Sequence, residues 1–523
     1  MKKIVISIVL LLVAIIAMAY LYFSNLNADR NTSDISLHAA TANSAFVFSF
    51  QNDKTVLDLL KSQELFKNML GPDKYKQLSA IKTQLMSMPL INQATDQEYV
   101  YISFLADQKN AINFLVSTQI NSQLNGGQIL QAIQKSGIQT DTLQGIFKLS
   151  LPDSTLCYLG IKENLVLLSN AAAPIADLLK KPLAKQNNDF ANYIRANSRF
   201  AKNSLAQLYI NFNKVPVLLQ AVIHQKLTGE LQVFHQQNAF AALNYSYSNK
   251  NILFTGSTDI QANNYYQLFA NTTPQKVTIT NILPENTANY TVYGINNYQS
   301  WRKELQSWFL NKKEAQVLSR ELQNISNKYH LNTDDIFPKY FDNQLITFQL
   351  STAEKLGAIN LKNGDKTAQL LLDLSEDYNE NIKRFKEPDL LYAYFGQPFM
   401  NFKAPYYVIL DNYLVFANQP ATLQNFLSTY ENNKLLIGTE AYINASNQLP
   451  DNSSICFYLD KKNALNLLKS NLRSEYYQYT TDEKGLKKYN SLTYQLSGDH
   501  GKFQTNILIH KQTPTLEKDS LAL

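Results

Sequence analysis

The chain is poor in the residues on which most site chemistry is built. Its 523 residues include two cysteines, six histidines and two tryptophans. Two cysteines, Cys157 and Cys456, exclude a disulfide-rich scaffold and a thiolate-based zinc site. They sit in apolar, strand-like runs in different halves of the chain (STLCYLGI and SSICFYL), so each reads as a separate small buried side chain. The histidines, His38, His224, His235, His330, His500 and His510, form no HxxxH or HxH pair, and neither a metal nor a cofactor is expected. His224 and His235, eleven apart, read as ordinary helix residues, and His500 lies in the polar turn SGDHG. The glycine-rich phosphate loops and the GxSxG nucleophile turn are missing. Ser79 and Lys82 match SxxK, but the companion SDN and KTG patterns are absent, so no nucleophilic serine is assigned. The acidic pairs Asp334–Asp335 and Glu376–Asp377 fall in polar segments and read as solvated charge, not as the carboxylates of a glycosidase. No catalytic residue is assigned.

Charge is also scarce. Charged residues make up 17% of the chain, below the usual quarter. Of the net charge of +6, Lys2 and Lys3 supply two, and no stretch is basic enough to track a phosphate backbone. A nucleic-acid partner is therefore not expected.

What is present begins at the N-terminus. After Met-Lys-Lys comes IVISIVLLLVAIIAMAYLYF, residues 4–23, without charge, proline or glycine. Twenty helical residues at about 1.5 Å each span about 30 Å, the thickness of a hydrocarbon core. The expectation is a cytoplasmic stub and transmembrane anchor over 1–28. Lys2 and Lys3 hold the N-terminus inside, and the bulk of the chain is extracytoplasmic. The competing reading is a cleaved signal peptide with Ala17-Met18-Ala19 as its site, releasing a secreted protein. Against it, Tyr20–Phe23 continue the apolar run past that site.

The second feature is a repeat. ENLVLLSNAAAPIADLL (163–179) aligns with DNYLVFANQPATLQNFL (411–427) at an offset of 248, with Asn164/Asn412, Asn170/Asn418, Ala173/Ala421 and Leu179/Leu427 identical. YINFNKVPVLL (209–219) aligns with YLDKKNALNLL (458–468), and LNYSYSNKNILF (243–254) with LTYQLSGDHGKF (492–503), both at 249. A fainter pair is NSAFVFSFQN (43–52) with TANYTVYGIN (287–296). Collinear blocks at nearly constant offset predict a tandem duplication of a module of some 220–250 residues. The expected domains are a first module over 35–261, a connector over 262–275, a second module over 276–511 and a flexible tail over 512–523.

Each block has a local reading. The apolar runs at 165–168 and 413–416 read as buried strands, Asn170 and Asn418 as caps of the helices that follow. The 243–254 and 492–503 blocks alternate on both sides of a polar centre and read as hairpins. Further strands are expected near 44–50, 98–105, 112–117, 143–149 and 155–160, with helices near 53–69, 74–86, 126–136 and 213–226. One long amphipathic helix is expected from Trp301 to Tyr329, burying Trp301, Leu305, Trp308, Leu318, Leu322 and Ile325. The fold class is α+β: an N-terminal transmembrane helix, then two duplicated modules, each a largely antiparallel sheet packed with helices.

The chain has 31 tyrosines and 27 phenylalanines, with a cluster at Tyr476, Tyr477, Tyr479 and Tyr489. Tyrosine offers a flat apolar face with a polar tip and suits protein or glycan surfaces. The anchor, the opening strand NSAFVFSF, the LVLLSN and LVFAN phrases and NILPENTANY (281–290) together resemble uncharacterised single-pass bacterial envelope proteins of unknown function. That resemblance implies no site residue. The expected function is a membrane-tethered extracytoplasmic binding or scaffolding protein whose partners are the membrane and an envelope protein or glycan. The alternatives are an envelope hydrolase acting on cell-wall glycan or peptide, and a periplasmic chaperone, which would need an apolar groove.

Overall fold

The computed structural model of the chain describes residues 34–51, 72–96, 98–106, 111–120, 124–143, 145–180, 188–198, 206–224, 239–260, 264–482 and 485–511. In the first half the strands are β1 (Phe46–Gln51), β2 (Tyr99–Ala106), β3 (Ile112–Gln119), β4 (Gln139–Leu143), β5 (Ile146–Ser150), β6 (Leu156–Lys162), β7 (Leu165–Ser169), β8 (Gln207–Asn211), β9 (Ala239–Tyr247) and β10 (Asn251–Ile260). Next come β11 (Gln275–Lys276), β12 (Thr287–Gly294), β13 (Phe341–Leu350), β14 (Lys355–Leu361), β15 (Ser375–Asp377) and β16 (Lys383–Phe385). The last are β17 (Tyr406–Leu410), β18 (Tyr413–Ala417), β19 (Asn452–Ser453), β20 (Ile455–Asp460), β21 (Tyr489–Asp499) and β22 (Lys502–Lys511).

Twenty of these strands form one antiparallel sheet; β11 and β19 pair separately. From one edge the order is β4-β5-β6-β7-β3-β2-β1-β8-β9-β10, and β10 then pairs with β22. The order continues β22-β21-β20-β12-β13-β14-β18-β17-β16-β15. The expectation of two modules, each with its own sheet, is thereby overturned. The physical reason lies in the two hairpins. Each ends in a ten-residue strand with a free edge, and unpaired backbone donors and acceptors on one such edge are satisfied by the other. The apolar run 4–23 lies outside the described residues, and among the described residues no helix is long and apolar enough to cross a membrane.

Read outward from the seam, the two ten-strand halves have the same order, and the seam itself is two-fold symmetric. The 249-residue offset carries Gly256 onto Thr505, and these two residues face each other in the β10–β22 register. Phe254 faces Ile507 and Thr258 faces Phe503, which are the same pair seen from either half. The offset also carries Ile223 onto Leu472, and these form an antiparallel bridge where the helices Val215–Val222 and Lys461–Asn471 end. His224 N–H donates to the Asn471 carbonyl (2.8 Å), and Arg473 N–H to the Val222 carbonyl (2.9 Å). Within the sheet seam the buried hydroxyls of Thr258 and Thr505 lie 2.7 Å apart.

Other local expectations change in detail. The long helix is two, Tyr298–Asn311 and Ala315–Tyr329, separated at Lys313, whose φ of 63° no helix accepts. Trp301, Leu305 and Trp308 still face the core, as do Leu318 and Ile325 beyond the break. The 143–149 strand resolves into the hairpin β4–β5, and the 74–86 helix into Pro72–Ala80 followed by a π-helical stretch, Ile81–Met86. Asn170 and Asn418 cap no helix. The Asn170 amide instead accepts from Phe114 N–H and donates to Asn113, and the Asn418 amide donates to the Asn401 carbonyl. The 53–69 helix and the 512–523 tail lie outside the described residues. In the 262–275 segment, the turn Tyr265–Phe269 packs its rings against Tyr293, Trp301 and Trp308.

Candidate functional site

The second half holds a cavity of about 230 Å³ built on three neighbouring strands, β12, β20 and β21. Residues directly across antiparallel strands point to the same face. One cross-strand row is Tyr290, Tyr458 and Thr493; beside it Cys456 faces Gln495. These two rows form the floor. One wall is Val277 with the turn Ile279–Ile282, and the other is the helix Glu440–Ser446 with Leu449 and Pro450.

The floor is aromatic. Tyr290 and Tyr458 stack with centroids 5.3 Å apart, and Tyr442 meets Tyr458 edge-on at 5.2 Å. The Tyr290 and Tyr442 hydroxyls are 3.1 Å apart. Burial raises all three phenol pKa values, so the rings stay neutral donors and acceptors at physiological pH. Burial also pushes the Cys456 thiol up to about 12, which removes it as a nucleophile. Gln495 is held at both ends: its amide donates to the Pro450 carbonyl (2.7 Å) and accepts from Asn506 (3.1 Å). Charge enters only at the rim, where Lys276 and Asp451 sit 4.0 Å apart and largely in solvent. Such a pair contributes little binding energy.

The first half shows why this cavity exists. The 249-residue offset carries Tyr193 onto Tyr442 and Tyr209 onto Tyr458. Around Tyr209, however, the helix Ile35–Thr41 brings Leu37 and Ala40, while Phe190 and Tyr193 pack on Phe240. The space is filled. Ahead of β12 the corresponding element is only the four-residue turn Ile279–Ile282, and a cavity remains there, bordered by the partly exposed Tyr442 and backed by the buried Tyr290 and Tyr458.

The residues singled out from sequence lie elsewhere, Cys456 excepted. Cys157 is buried in the first half with its thiol also pushed up to about 12, and both cysteines are free. His38 is half-buried beside Arg195, and burial lowers its pKa first, the Arg195 charge second. His510 meets the Asn251 amide at 2.7 Å, and its pKa is lowered by burial. His330 and His500 take left-handed backbone at a helix end and a hairpin turn. His224 sits at the seam, and His235 lies outside the described residues. Ser79 and Lys82 belong to the helical stretches at 72–86. Asp334 accepts from the Tyr394 hydroxyl (2.7 Å), while Glu376 and Asp377 pair with Arg384 and Lys383. Tyr476, Tyr477 and Tyr479 lie on the helix Ser474–Thr481 and Tyr489 opens β21; none lines the cavity. An apolar cavity lined by Leu85, Ile91, Ile129 and Ile133 has a volume of only about 30 Å³, no more than a water or two.

Sequence reasoning missed Tyr290, Tyr442 and Tyr458. Two stood inside aligned blocks, Tyr458 opposite Tyr209 and Tyr290 in the β12 phrase. Their shared face shows only once the β12–β20 pairing is known. No curated protein and no solved structure matches the chain. Residues 350–519, which include the helix Glu440–Ser446, β20 and β21 and thus Tyr442 and Tyr458, match the family described as a protein of unknown function, DUF3352.

Proposed function

We propose that the chain is a membrane-tethered, extracytoplasmic binding protein of the bacterial envelope, and that its ligand is a neutral glycan segment taken up at the Tyr290–Tyr442–Tyr458 cavity. The tether and the compartment rest on the sequence, on Lys2 and Lys3 and the apolar run at 4–23. The observation that carries the ligand class is the chemistry of the cavity wall. Tyr442 supplies flat apolar surface backed by the buried rings of Tyr290 and Tyr458, and Thr280, Asn281, Thr493 and Gln495 add uncharged hydrogen-bonding groups. That combination suits a hydroxyl-rich ring with one apolar face. The volume, about 230 Å³, lies below the usual small-molecule range of about 300–1,000 Å³ and favours one sugar residue of a longer strand.

The test is equilibrium binding of the full chain, held in lipid nanodiscs, to soluble cell-wall glycan oligosaccharides. Binding is expected, and Tyr442→Ala should weaken it about tenfold or more, as loss of one stacked ring does. Equal binding by wild type and Tyr442→Ala would refute the site. Hydrolysis of the oligosaccharide during the titration would instead promote the hydrolase reading.

A further inference from the structure

The loop that walls one side of the tyrosine-lined cavity is held to the seam by two side chains. It follows the helix Glu440–Ser446, and its Leu449, Pro450 and Asp451 line the cavity. Gln495 Nε2 donates to the Pro450 carbonyl (2.7 Å), and Asn251 Nδ2 donates to Gln448 Oε1 (2.9 Å). Asn251 opens β10, and its partner in the β10–β22 register is His510, which is 3% exposed. Asn251 Oδ1 carries no hydrogen, so its 2.7 Å contact with His510 Nδ1 is a bond donated by the imidazole. In the neutral ring that leaves Nε2 as the nitrogen that takes a proton.

The surroundings favour an uncharged ring. On its own face His510 has Asn251 on one side and Ser491 on the other, with Asp460 one strand beyond Ser491. The buried Asp460 carboxyl already accepts from Asn463 N–H (2.8 Å) at the start of the helix Lys461–Asn471. Lys250 precedes Asn251 in the turn. Lys511, next along β22, takes the opposite face, where its Nζ donates to the Tyr247 hydroxyl (3.1 Å) and lies 5.7 Å from the Tyr489 ring. Burial first and the Lys250 charge second lower the His510 pKa from its ordinary 6.5. We infer that His510 is a pH-sensitive latch: on protonation the imidazole moves toward water, Asn251 loses its partner, and the Gln448 loop that walls the cavity is released. The inference rests on the glycan reading only for what the cavity holds. By linkage, a ligand that binds with the wall in place holds His510 neutral.

Hydrogen exchange of the full chain in nanodiscs, read by mass spectrometry at pH 7.5 and pH 5 and corrected for intrinsic rates, tests the latch without any ligand. Because the folded imidazole has the lowered pKa, its contribution to protection should be complete above pH 6.5 and lost as pH falls below that value. The Gln448 and Leu449 amides, which donate to the Ala445 and Ser446 carbonyls, should exchange at least about threefold faster at pH 5. His510→Gln should abolish that step, and His38→Gln, on the helix Ile35–Thr41, should preserve it. Lys250→Gln, at an exposed turn position, should shrink the step by removing a charge that opposes protonation, and this arm stands even if His510→Gln folds poorly. No step in the wild type, a full step in His510→Gln, or an unchanged step in Lys250→Gln would overturn the inference. Glycan affinity should weaken over the same range in the wild type and hold steady in His510→Gln. Absence of glycan binding at every pH would refute the glycan reading alone, since the exchange profile decides the latch.

Discussion

The hydroxyl pair at the seam gives the sharpest energetic test of the continuous sheet. Thr258 comes from β10 and Thr505 from β22, 247 residues apart in sequence, yet their Oγ1 atoms lie 2.7 Å apart and both side chains are fully buried. Valine is close to threonine in shape but has no hydroxyl. A single Thr→Val change at either position therefore leaves the other hydroxyl without this partner inside the sheet. A stranded buried hydroxyl costs about 1–3 kcal/mol, whereas removing both partners together is close to neutral. The double mutant should recover about 1–2 kcal/mol relative to the sum of the singles. Urea unfolding followed by the fluorescence of Trp301 and Trp308 would measure the three variants against wild type. Additive single effects, within about 0.5 kcal/mol, would mean that β10 and β22 do not pair in solution, and the one-sheet architecture would fail.

Further predictions follow from the same geometry. A Cβ at Gly256 would sit 2.0 Å from the Ala242 carbonyl oxygen on β9, and backbone cannot swing aside as a side chain can. Gly256→Ala should therefore destabilise by about 3 kcal/mol or more in the same urea assay, while a cost below about 1 kcal/mol would contradict the packing at the seam. Burial pushes Cys157 and Cys456 up to about 12, from an ordinary value of 9.0. At pH 8 both thiols should resist iodoacetamide in the native chain and react after unfolding, as read by mass spectrometry; rapid native alkylation would contradict the burial. Because the unfolded thiols ionise above pH 9 while the folded ones stay protonated, their contribution to stability should be complete below pH 9. It should fall as pH rises from 9 toward 12, and Cys456→Ala should flatten part of that decline.

Much of the strand content is legible in the chain, because apolar alternation and the β-rich runs are local signals. The hairpins β9–β10 and β21–β22 stand at the 243–254 and 492–503 blocks, since a polar turn between alternating segments needs nothing beyond its own neighbours. The join between them is different. Pairing β10 with β22 is a contact across some 250 residues, and nothing in either strand names its partner. Asn170 and Asn418 show the limit of a local rule: an asparagine before a helix suits a cap, but strand neighbours offered Asn170 stronger partners. The break at Lys313 is likewise invisible to helical periodicity, which continues in register on both sides. The cavity was hidden for a related reason. It arises from a difference in length between two equivalent elements, the helix Ile35–Thr41 and the turn Ile279–Ile282, and no residue type signals a space left unfilled.

The functional account turns on whether the tyrosine-lined cavity meets glycan in the living envelope. A photo-crosslinking amino acid at Asp451, on the cavity rim, should give an adduct in intact cells that collapses on treatment with a glycan-cleaving enzyme. The same probe at Leu310, an exposed position that does not line the cavity, should give none. An adduct insensitive to glycan cleavage, equal adducts from both positions, or capture of cytosolic components at Asp451 would contradict the account.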